Sequence, residues 1–351
     1  MLENKILQPI CAYIYCNHFL NLDHQLLDKR FINTVDMVYY SFIHVNQDGT
    51  LLIPDTFSQY LPQVKALTQY GIKVLISINH AKGLSKACSQ EETRTNLINH
   101  LVDYLKQQNL QGIDIDWEVP GNQEKTIEED KNNLNYFVQE LKQKMNEVLE
   151  NGLLTIAIPG IPFGDYRFDY TFLNQYIDYY NVMSYDANID DATSHLCPLY
   201  PNPKIKRNYS IDEAYQKLLH LGVKKEKIII SAAFYGKVYQ LEKSSEDDVI
   251  LGQKAKYIPA QYENGVAHYD YIQFHYTKEK GYEHFFDATA YASYLYHPKT
   301  HIFITYDDAI SVKEKALYAK KNQVGIMFWE LGGDNHYELL EAIYEVLKGK
   351  K

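Results

Sequence analysis

Short apolar runs rich in β-branched and aromatic residues alternate along the chain with segments whose apolar residues recur every three to four positions. The first pattern predicts strands and the second predicts amphipathic helices. Strands that alternate with helices pair in parallel through right-handed crossovers, so the rhythm predicts a (β/α)8 TIM barrel with its site at the carboxyl ends of the strands. The predicted strands are 9–15, 36–45, 73–79, 112–118, 153–159, 179–186, 227–235 and 324–330.

Helical spacing fills most of the gaps between these strands. Ser89 and the glutamates after it read as a capping box, whereas Ser210 reads as a simple helix cap. Gly71 and Gly222 are expected to end two helices, since glycine favours the position after a helix. The predicted helices are 22–31, 61–70, one opened by Ser89, one with apolar residues from 134 to 148, 210–221 and 338–347.

One segment, 240–286, does not follow this alternation of strands and helices. It contains short β-like pieces at 257–258 and 267–276 and many tyrosines, without a clear crossover helix. We therefore predict a small α+β insertion between the seventh and eighth strands, beside a barrel formed by 1–239 and 287–351. It is expected to wall a binding groove; a variable surface loop is the alternative.

The fourth predicted strand, 112–118, alternates apolar and acidic residues. Its acids, Asp114, Asp116 and Glu118, share one face because successive side chains of a strand point to opposite sides. Buried carboxylates are costly unless they are paired, hydrogen-bonded or protonated, and neighbouring like charges raise a pKa. This row of acids indicates proton chemistry inside the barrel, with Glu118 at the mouth. The alternative is an edge strand with one solvent-exposed face.

The net charge of −10 argues against binding of nucleic acid, which needs basic patches. No apolar run is long enough to span a bilayer, so no membrane partner is expected. The 32 tyrosines suit the apolar faces of sugar rings, as well as ordinary packing. The first residues lack the pattern of a signal peptide, so we expect a cytoplasmic protein, or a secreted one from which a leader was removed.

The sequence predicts neither a metal nor a cofactor. Its four cysteines have no metal-ligand spacing and are expected to be free buried thiols. It contains no phosphate-binding Gly-Lys-Ser/Thr loop, no Gly-x-Gly-x-x-Gly after the first strand, no Gly-x-Ser-x-Gly elbow and no His-x-x-x-His pair. The cysteines are Cys11, Cys16, Cys88 and Cys197.

The acidic strand resembles the Asp-x-x-Asp-x-Asp-x-Glu signature of glycoside hydrolase family 18, the chitinases and related endo-β-N-acetylglucosaminidases. Other stretches agree with that family in order and context over nearly the whole chain. These stretches are 12–13, 40–42, 180–186, 195–200, 234–237, 305–308 and 327–330.

The resemblance implies a role for each acid. Glu118 would protonate the glycosidic oxygen and later activate water, while the 2-acetamido carbonyl of the substrate attacks to give an oxazolinium ion with net retention. Asp116 would orient the acetamide N–H, and Asp114 would tune the protonation of Asp116. Tyr185 would donate to the acetamide oxygen, a core tyrosine being the alternative.

The resemblance also implies a substrate-binding pocket with Trp329 as its hydrophobic floor. Packing within the barrel is the alternative for Trp329 and Phe42, and capping of a loop is the alternative for Asp186. The residues implied to bind substrate are Trp329, Tyr13, Phe42, Met183, Asp186 and Tyr235.

Two departures from the family pattern stand out. Gln111 occupies the position of the first signature aspartate, and its loss is expected to affect stability or pKa tuning rather than the acid itself. Asn79 and His80 replace two glycines after the third strand, which would narrow the acetamide end of the pocket or shift substrate choice. Neither departure removes a catalytic residue, so we expect an active enzyme.

The sequence leaves four possible functions. The first is a retaining chitinase that cleaves β-1,4-linked N-acetylglucosamine polymers, and the second is the same chemistry on an N-glycan core or peptidoglycan. The third is a non-catalytic sugar-binding protein, and the fourth is a metal-dependent nuclease or phosphatase. The expected partner is an N-acetylglucosamine-containing oligo- or polysaccharide, and the family implies a monomer.

Overall fold

The computed structural model describes residues 6–21, 26–118, 120–121, 125–160, 167–188, 190–205, 209–242 and 250–349. Fifteen strands are numbered along these residues. They are β1 (Ile10–Tyr15), β2 (Met37–Val45), β3 (Leu51–Leu52), β4 (Lys73–Asn79), β5 (Gly112–Ile115), β6 (Leu153–Pro159), β7 (Tyr179–Met183), β8 (Ile228–Ala233), β9 (Tyr235–Leu241), β10 (Ala255–Tyr257), β11 (Val266–His268), β12 (Glu283–Asp287), β13 (Ala292–His297), β14 (Ile302–Tyr306) and β15 (Gly325–Trp329).

Ten α-helices lie between or after these strands in the described residues. They are α1 (Lys29–Thr34), α2 (Asp55–Ala66), α3 (Ala81–Cys88), α4 (Glu91–Gln108), α5 (Ile127–Val148), α6 (Tyr170–Leu173), α7 (Ile211–His220), α8 (Tyr269–His275), α9 (Ala309–Asn322) and α10 (Glu338–Leu347). No helix among the described residues is both long and apolar enough to cross a bilayer.

Eight of the strands close into a parallel barrel. Around the barrel they run β1, β2, β4, β5, β6, β7, β8 and β15, and β1 pairs with both β2 and β15. Helices connect them, so the predicted (β/α)8 barrel is confirmed. Each strand prediction overlaps a barrel strand, and the third and fifth match β4 and β6 at both ends.

The barrel has two apolar layers because side chains alternate across its strands. Outward-facing residues such as Ile113, Ile115 and Trp117 pack under the helices in the main core. Inward-facing residues such as Tyr39 and Met327 form a smaller cluster in the barrel interior. All four cysteines are buried and free.

Helix ends follow the sequence in some places and depart from it in others. Ser210 and Glu213 form a capping box at α7, and Gly71 and Gly222 adopt φ of +82° where their helical turns end. The capping box predicted at Ser89 is wrong: the N-cap of α4 is Gln90, without a side-chain bond, and the Ser89 hydroxyl donates to the Lys86 carbonyl instead.

The predicted helix 22–31 is also displaced. Residues 22–25 lie outside the described part of the chain, and the helix found nearby, α1, starts only at Lys29 with Asp28 as its N-cap. The Asp28 carboxylate accepts from the N–H of Arg30 at 2.8 Å, which fixes the start of the helix.

The insertion between the seventh and eighth barrel strands is built around a second, antiparallel sheet. Its strands run β10, β9, β14, β13 and β12, and β11 adds to β9. The sheet extends beyond the predicted segment 240–286 on both sides, since β9 starts at Tyr235 and β14 ends at Tyr306. The piece predicted as β-like at 267–276 is mostly the helix α8.

A buried ion pair connects this sheet to the barrel. Asp307 follows β14 and is paired with Lys315 of α9, both fully or almost fully buried. The same carboxylate accepts from the N–H of Ala233 at the end of β8, at 2.9 Å. The acidic stretch 305–308 therefore joins the two sheets and a helix, with Asp308 capping α9.

Candidate active site

The acidic strand places its carboxyls as its alternation predicts. Regular pairing ends at Ile115, earlier than the predicted 118, but the N–H of Asp116 still donates to the Ile78 carbonyl at 2.9 Å. Ile113 and Ile115 are fully buried on the outer side, so Asp114 and Asp116 face the barrel interior. Glu118 comes last and lies at the mouth.

Asp114 points toward the barrel axis and is completely buried. Its Oδ2 accepts from the Tyr13 and Ser77 hydroxyls, each at 2.8 Å. Its Oδ1 accepts from Thr155 at 2.6 Å and from the Asn181 amide at 3.0 Å. Burial raises the pKa of Asp114, while these hydrogen bonds act in the opposite direction.

Asp116 has a different environment from its neighbour. Its Oδ1 is buried and, among the described residues, has no hydrogen-bond partner. Burial, and then the charges of Glu118 and Asp114, raise the pKa of Asp116 well above its usual range. A buried polar atom without a partner is costly, so this oxygen is suited to accept from a bound N–H donor.

Glu118 lies at the lip of the pocket and is exposed. Partial desolvation of its carboxyl raises its pKa, and the negative charge of Asp186 raises it further. Gly121 is anchored to α5, because its N–H donates to the buried Asp130 at 2.8 Å. Arg167 also donates to the Pro120 carbonyl.

A cavity of about 240 Å³ at the barrel mouth brings the predicted site residues together. Asp114 lies beneath it and reaches it through the hydroxyl of Tyr13. The residues that line the cavity are Tyr13, Phe42, Asn79, Asp116, Glu118, Met183, Tyr185, Asp186, Tyr235 and Trp329.

The end of β7 supplies one wall. Burial and then the negative charge of Asp116 raise the pKa of Tyr185 well above its usual value, so its hydroxyl remains a donor. Asp186 accepts from the Tyr235 hydroxyl at 2.7 Å and pairs with Lys237 at 2.8 Å. These contacts come from β9, so the second sheet helps to fix the charge beside Glu118.

Aromatic rings form the opposite wall and the floor. Trp329 stacks on Phe42 with ring centroids 5.6 Å apart and contacts Tyr13 at 5.5 Å. Both Phe42 and Trp329 lie beside non-proline cis peptide bonds, Ser41–Phe42 and Trp329–Glu330. The cluster presents an apolar surface of the kind that packs against a sugar ring.

Some residues of the site were not among those selected from the sequence. Ser77 of the neighbouring strand β4 and Asn181 of β7, two strands away on the other side, each donate to Asp114. The period of two along β7 provides a signal for Asn181, because it shares a face with Met183 and Tyr185. Asn79 also lines the cavity, and Nδ1 of His44 lies 2.6 Å from its Oδ1.

The two departures from the signature pattern have local structural explanations. Gln111 lies at the opposite end of the strand from the pocket, where its Oε1 accepts from the N–H of Val74 at 2.8 Å. His80 has φ of +92°, a conformation that favours glycine, and its Nδ1 lies 2.9 Å from the Val45 carbonyl. Its ring is therefore held against β2.

A larger groove of about 770 Å³ continues from the cavity and shares Asp186, Tyr235 and Trp329 with it. The second sheet and its loops line the far side, through residues such as Tyr257 and Tyr262. The insertion therefore walls a groove. An extended ligand that lies across the cavity would also contact this sheet.

The closed barrel, with Glu118 at its mouth and Asp116 and Asp114 successively deeper, has the architecture of a glycoside hydrolase barrel. The chain belongs to the glycosyl hydrolases family 18, whose model matches residues 13–334.

Individual relatives agree with this assignment. Chitinase A1 of Niallia circulans is 27% identical over 78% of this chain, which spans only 42% of that protein. An N-acetylglucosaminidase of family 18 from Paenibacillus barengoltzii has a TM-score of 0.84 at 24% identity, covering 97% of this chain and 100% of that one. A Group IV chitinase of Ostrinia furnacalis, solved with allosamidin, has a TM-score of 0.86 at 22% identity, covering 98% and 100%.

Proposed function

We propose that this protein hydrolyses β-1,4-linked N-acetylglucosamine polymers, with retention, through attack by the substrate's own acetamide. The observation that carries the proposal is the buried Oδ1 of Asp116, which has no partner among the described residues. Asp116 lines the same cavity as Glu118 and Tyr185. An acetamide group offers the N–H that this oxygen lacks and a carbonyl oxygen for the tyrosine hydroxyl.

In the first step Glu118, whose pKa is raised by partial burial and by Asp186, gives its proton to the glycosidic oxygen as the bond to C1 breaks. The acetamide carbonyl oxygen forms a new bond to C1, which gives an oxazolinium ion. Asp116 accepts the acetamide N–H and balances the positive charge that develops. Burial and the charges of Glu118 and Asp114 raise the pKa of Asp116, and the positive charge that forms beside it favours its ionised state.

In the second step Glu118, now a carboxylate, takes a proton from a water molecule. The water oxygen attacks C1 and the bond to the acetamide oxygen breaks, which restores the acetamide and the protonated acid. Two displacements at C1 give net retention, so the first product is the β-anomer. Trp329 and Phe42 supply the apolar surface beneath the ring.

The test is hydrolysis of a short N-acetylglucosamine oligomer by wild type and Glu118→Gln, with products followed by anomer-resolved NMR. The variant keeps the shape of the side chain but has no proton to give. We expect a loss in kcat of about 10²- to 10⁴-fold. Glu128→Gln, an exposed glutamate of α5 that pairs with Lys131, is the matched control and should retain full activity.

Two results would contradict the proposal. The α-anomer as first product would exclude retention, and unchanged turnover by Glu118→Gln would remove this residue from the acid role. Oligomer binding without any product from wild type would favour the sugar-binding function instead.

The second candidate function is the same chemistry on another N-acetylglucosamine glycan, such as an N-glycan core or peptidoglycan. Asn79 favours it, because its amide lines the cavity and is held by His44 where the family pattern has glycine. A panel of chitin oligomers, N-glycans and peptidoglycan fragments, assayed with wild type and Asn79→Gly, separates the two. A substrate preference that moves toward chitin oligomers in the variant would support this second function.

A further inference from the structure

Three side chains with metal-ligating atoms converge in the groove outside the catalytic cavity. His18 follows β1, His268 ends β11 in the second sheet, and Glu330 follows β15. The three donor atoms all lie within 4.8 Å of one another. Nδ1 of His18 is 3.0 Å from Oε1 of Glu330, and Nε2 of His268 is 3.8 Å from the same oxygen.

These separations fit a common ion. Zinc binds imidazole nitrogen and carboxylate oxygen at about 2.0–2.2 Å, so tetrahedral ligands lie about 3.3 Å apart. The two distances to Glu330, 3.0 and 3.8 Å, lie on either side of that value. Two imidazoles and one carboxylate also leave a fourth position for water or a ligand.

The surroundings hold these ligands in place. Glu330 is 3% exposed, and its Oε2 accepts from the N–H of Gly332 at 3.1 Å. The backbone N–H of His268 donates to Gln261 at 2.7 Å, and the hydroxyl of Tyr262 lies 3.4 Å from Nε2 of His18. Such outer contacts orient the ligands of metal sites.

Ordinary histidine–carboxylate pairs elsewhere in the chain provide a contrast. His284 lies 2.7 Å from Asp308, with one imidazole at the carboxylate. Glu330 has two imidazoles, from elements far apart in sequence, and all three ligands line the open groove of about 770 Å³. An ion can therefore reach them from solvent.

We propose that His18, His268 and Glu330 bind one divalent transition-metal ion of the zinc class. The ion would connect the second sheet to the barrel rim beside Trp329, and so fix the wall of the groove relative to the catalytic cavity. The sequence predicted no metal site, because no two of these ligands have a recognisable spacing.

The test uses the full chain, stripped with chelator and titrated by calorimetry with Zn²⁺, and with Co²⁺ by visible absorption. We expect one ion per chain and the intense visible bands of four- or five-coordinate Co²⁺. His18→Ala and His268→Ala should each weaken Zn²⁺ binding about tenfold or more. His284→Ala is the matched control and should leave the affinity unchanged.

Two results would overturn the proposal: no stoichiometric binding to wild type, or binding retained by the double variant His18→Ala/His268→Ala. Circular dichroism checks that each variant is folded. If the variants do not fold, the test rests on the wild-type protein alone. Anomalous scattering at the zinc edge, measured on crystals soaked in Zn²⁺, must then locate the ion between the three side chains. Anomalous density found only at other positions would equally exclude the site.

Discussion

At the scale of single residues, Asp114 and Asp116 differ because of their neighbours rather than their chemistry. Asp114 is surrounded by four donors, whereas one oxygen of Asp116 has no partner in the described part of the chain. Among those residues no hydrogen bond joins the two carboxyls. The predicted tuning of Asp116 by Asp114 therefore remains a proposal that rests on charge, which raises the pKa of Asp116.

The residues around Glu118 also give a prediction for the pH dependence of turnover. In the proposed mechanism Glu118 is the acid of the first step, so turnover should fall as the pH rises through its pKa. The charge of Asp186 raises that pKa, and Lys237 offsets the charge from 2.8 Å. Asp186→Asn should move the descending limb of kcat to lower pH, and Lys237→Gln should move it to higher pH, each by about half a unit.

The measurement is kcat against pH on a short oligomer for wild type and both variants. Opposite displacements are the distinctive result, because general damage to the pocket would lower both profiles without moving them apart. If the descending limbs of the two variants moved in the same direction, Asp186 and Lys237 would not act through the protonation of Glu118.

At the scale of elements, local sequence patterns predicted the interiors of strands and helices better than their ends. Ser89 and Ser210 both precede a glutamate in the first turn of a helix. Only Ser210 forms the reciprocal bonds, with its hydroxyl accepting from the N–H of Glu213 at 3.2 Å. Ser89 instead belongs to the end of α3, which the sequence analysis did not predict.

This difference predicts unequal effects of removing the two hydroxyls. Ser210→Ala should lower the free energy of unfolding by about 1 kcal/mol, because it leaves N–H groups at the start of α7 without their cap. Ser89→Ala should cost less than about 0.5 kcal/mol, since α4 does not use this side chain. Guanidinium unfolding of both variants measures the two values. Equal losses would contradict the assignment of the caps.

The seventh barrel strand shows why a boundary was misplaced. The run 227–235 reads as one strand, yet β8 ends at Ala233 and Tyr235 already begins β9 of the second sheet. Apart from Ser231, residues 228–235 are all apolar, so this run carries no local signal of the change. Pairing partners far along the chain, β15 for β8 and β14 for β9, make the distinction.

At the scale of the whole molecule, the junction of the two sheets depends on the buried pair of Asp307 and Lys315. Lys315→Met should destabilise the protein by about 3–5 kcal/mol, because it leaves a buried carboxylate without its counter-ion. Asp307→Asn combined with Lys315→Met should recover part of this loss, since neither charge then remains.

Lys313→Met provides the matched control two residues away on the same helix. Its partner Glu345 lies 3.0 Å away, and both side chains are exposed, so the change should cost less than about 1 kcal/mol. Guanidinium unfolding again gives the measurement. A loss at Lys315 no larger than that at Lys313 would show that the pair does not stabilise the junction.

The sequence by itself determined the barrel, its family and the row of acids, because alternation of apolar and polar residues is a local property that survives folding. It also placed Glu118 at the mouth, since a parallel barrel puts strand ends on one rim. Only the tertiary structure decided which groups surround each acid, where the second sheet begins, and that His18, His268 and Glu330 meet. Those contacts join residues from 37 to 312 positions apart, and no local pattern specifies which distant side chains become neighbours.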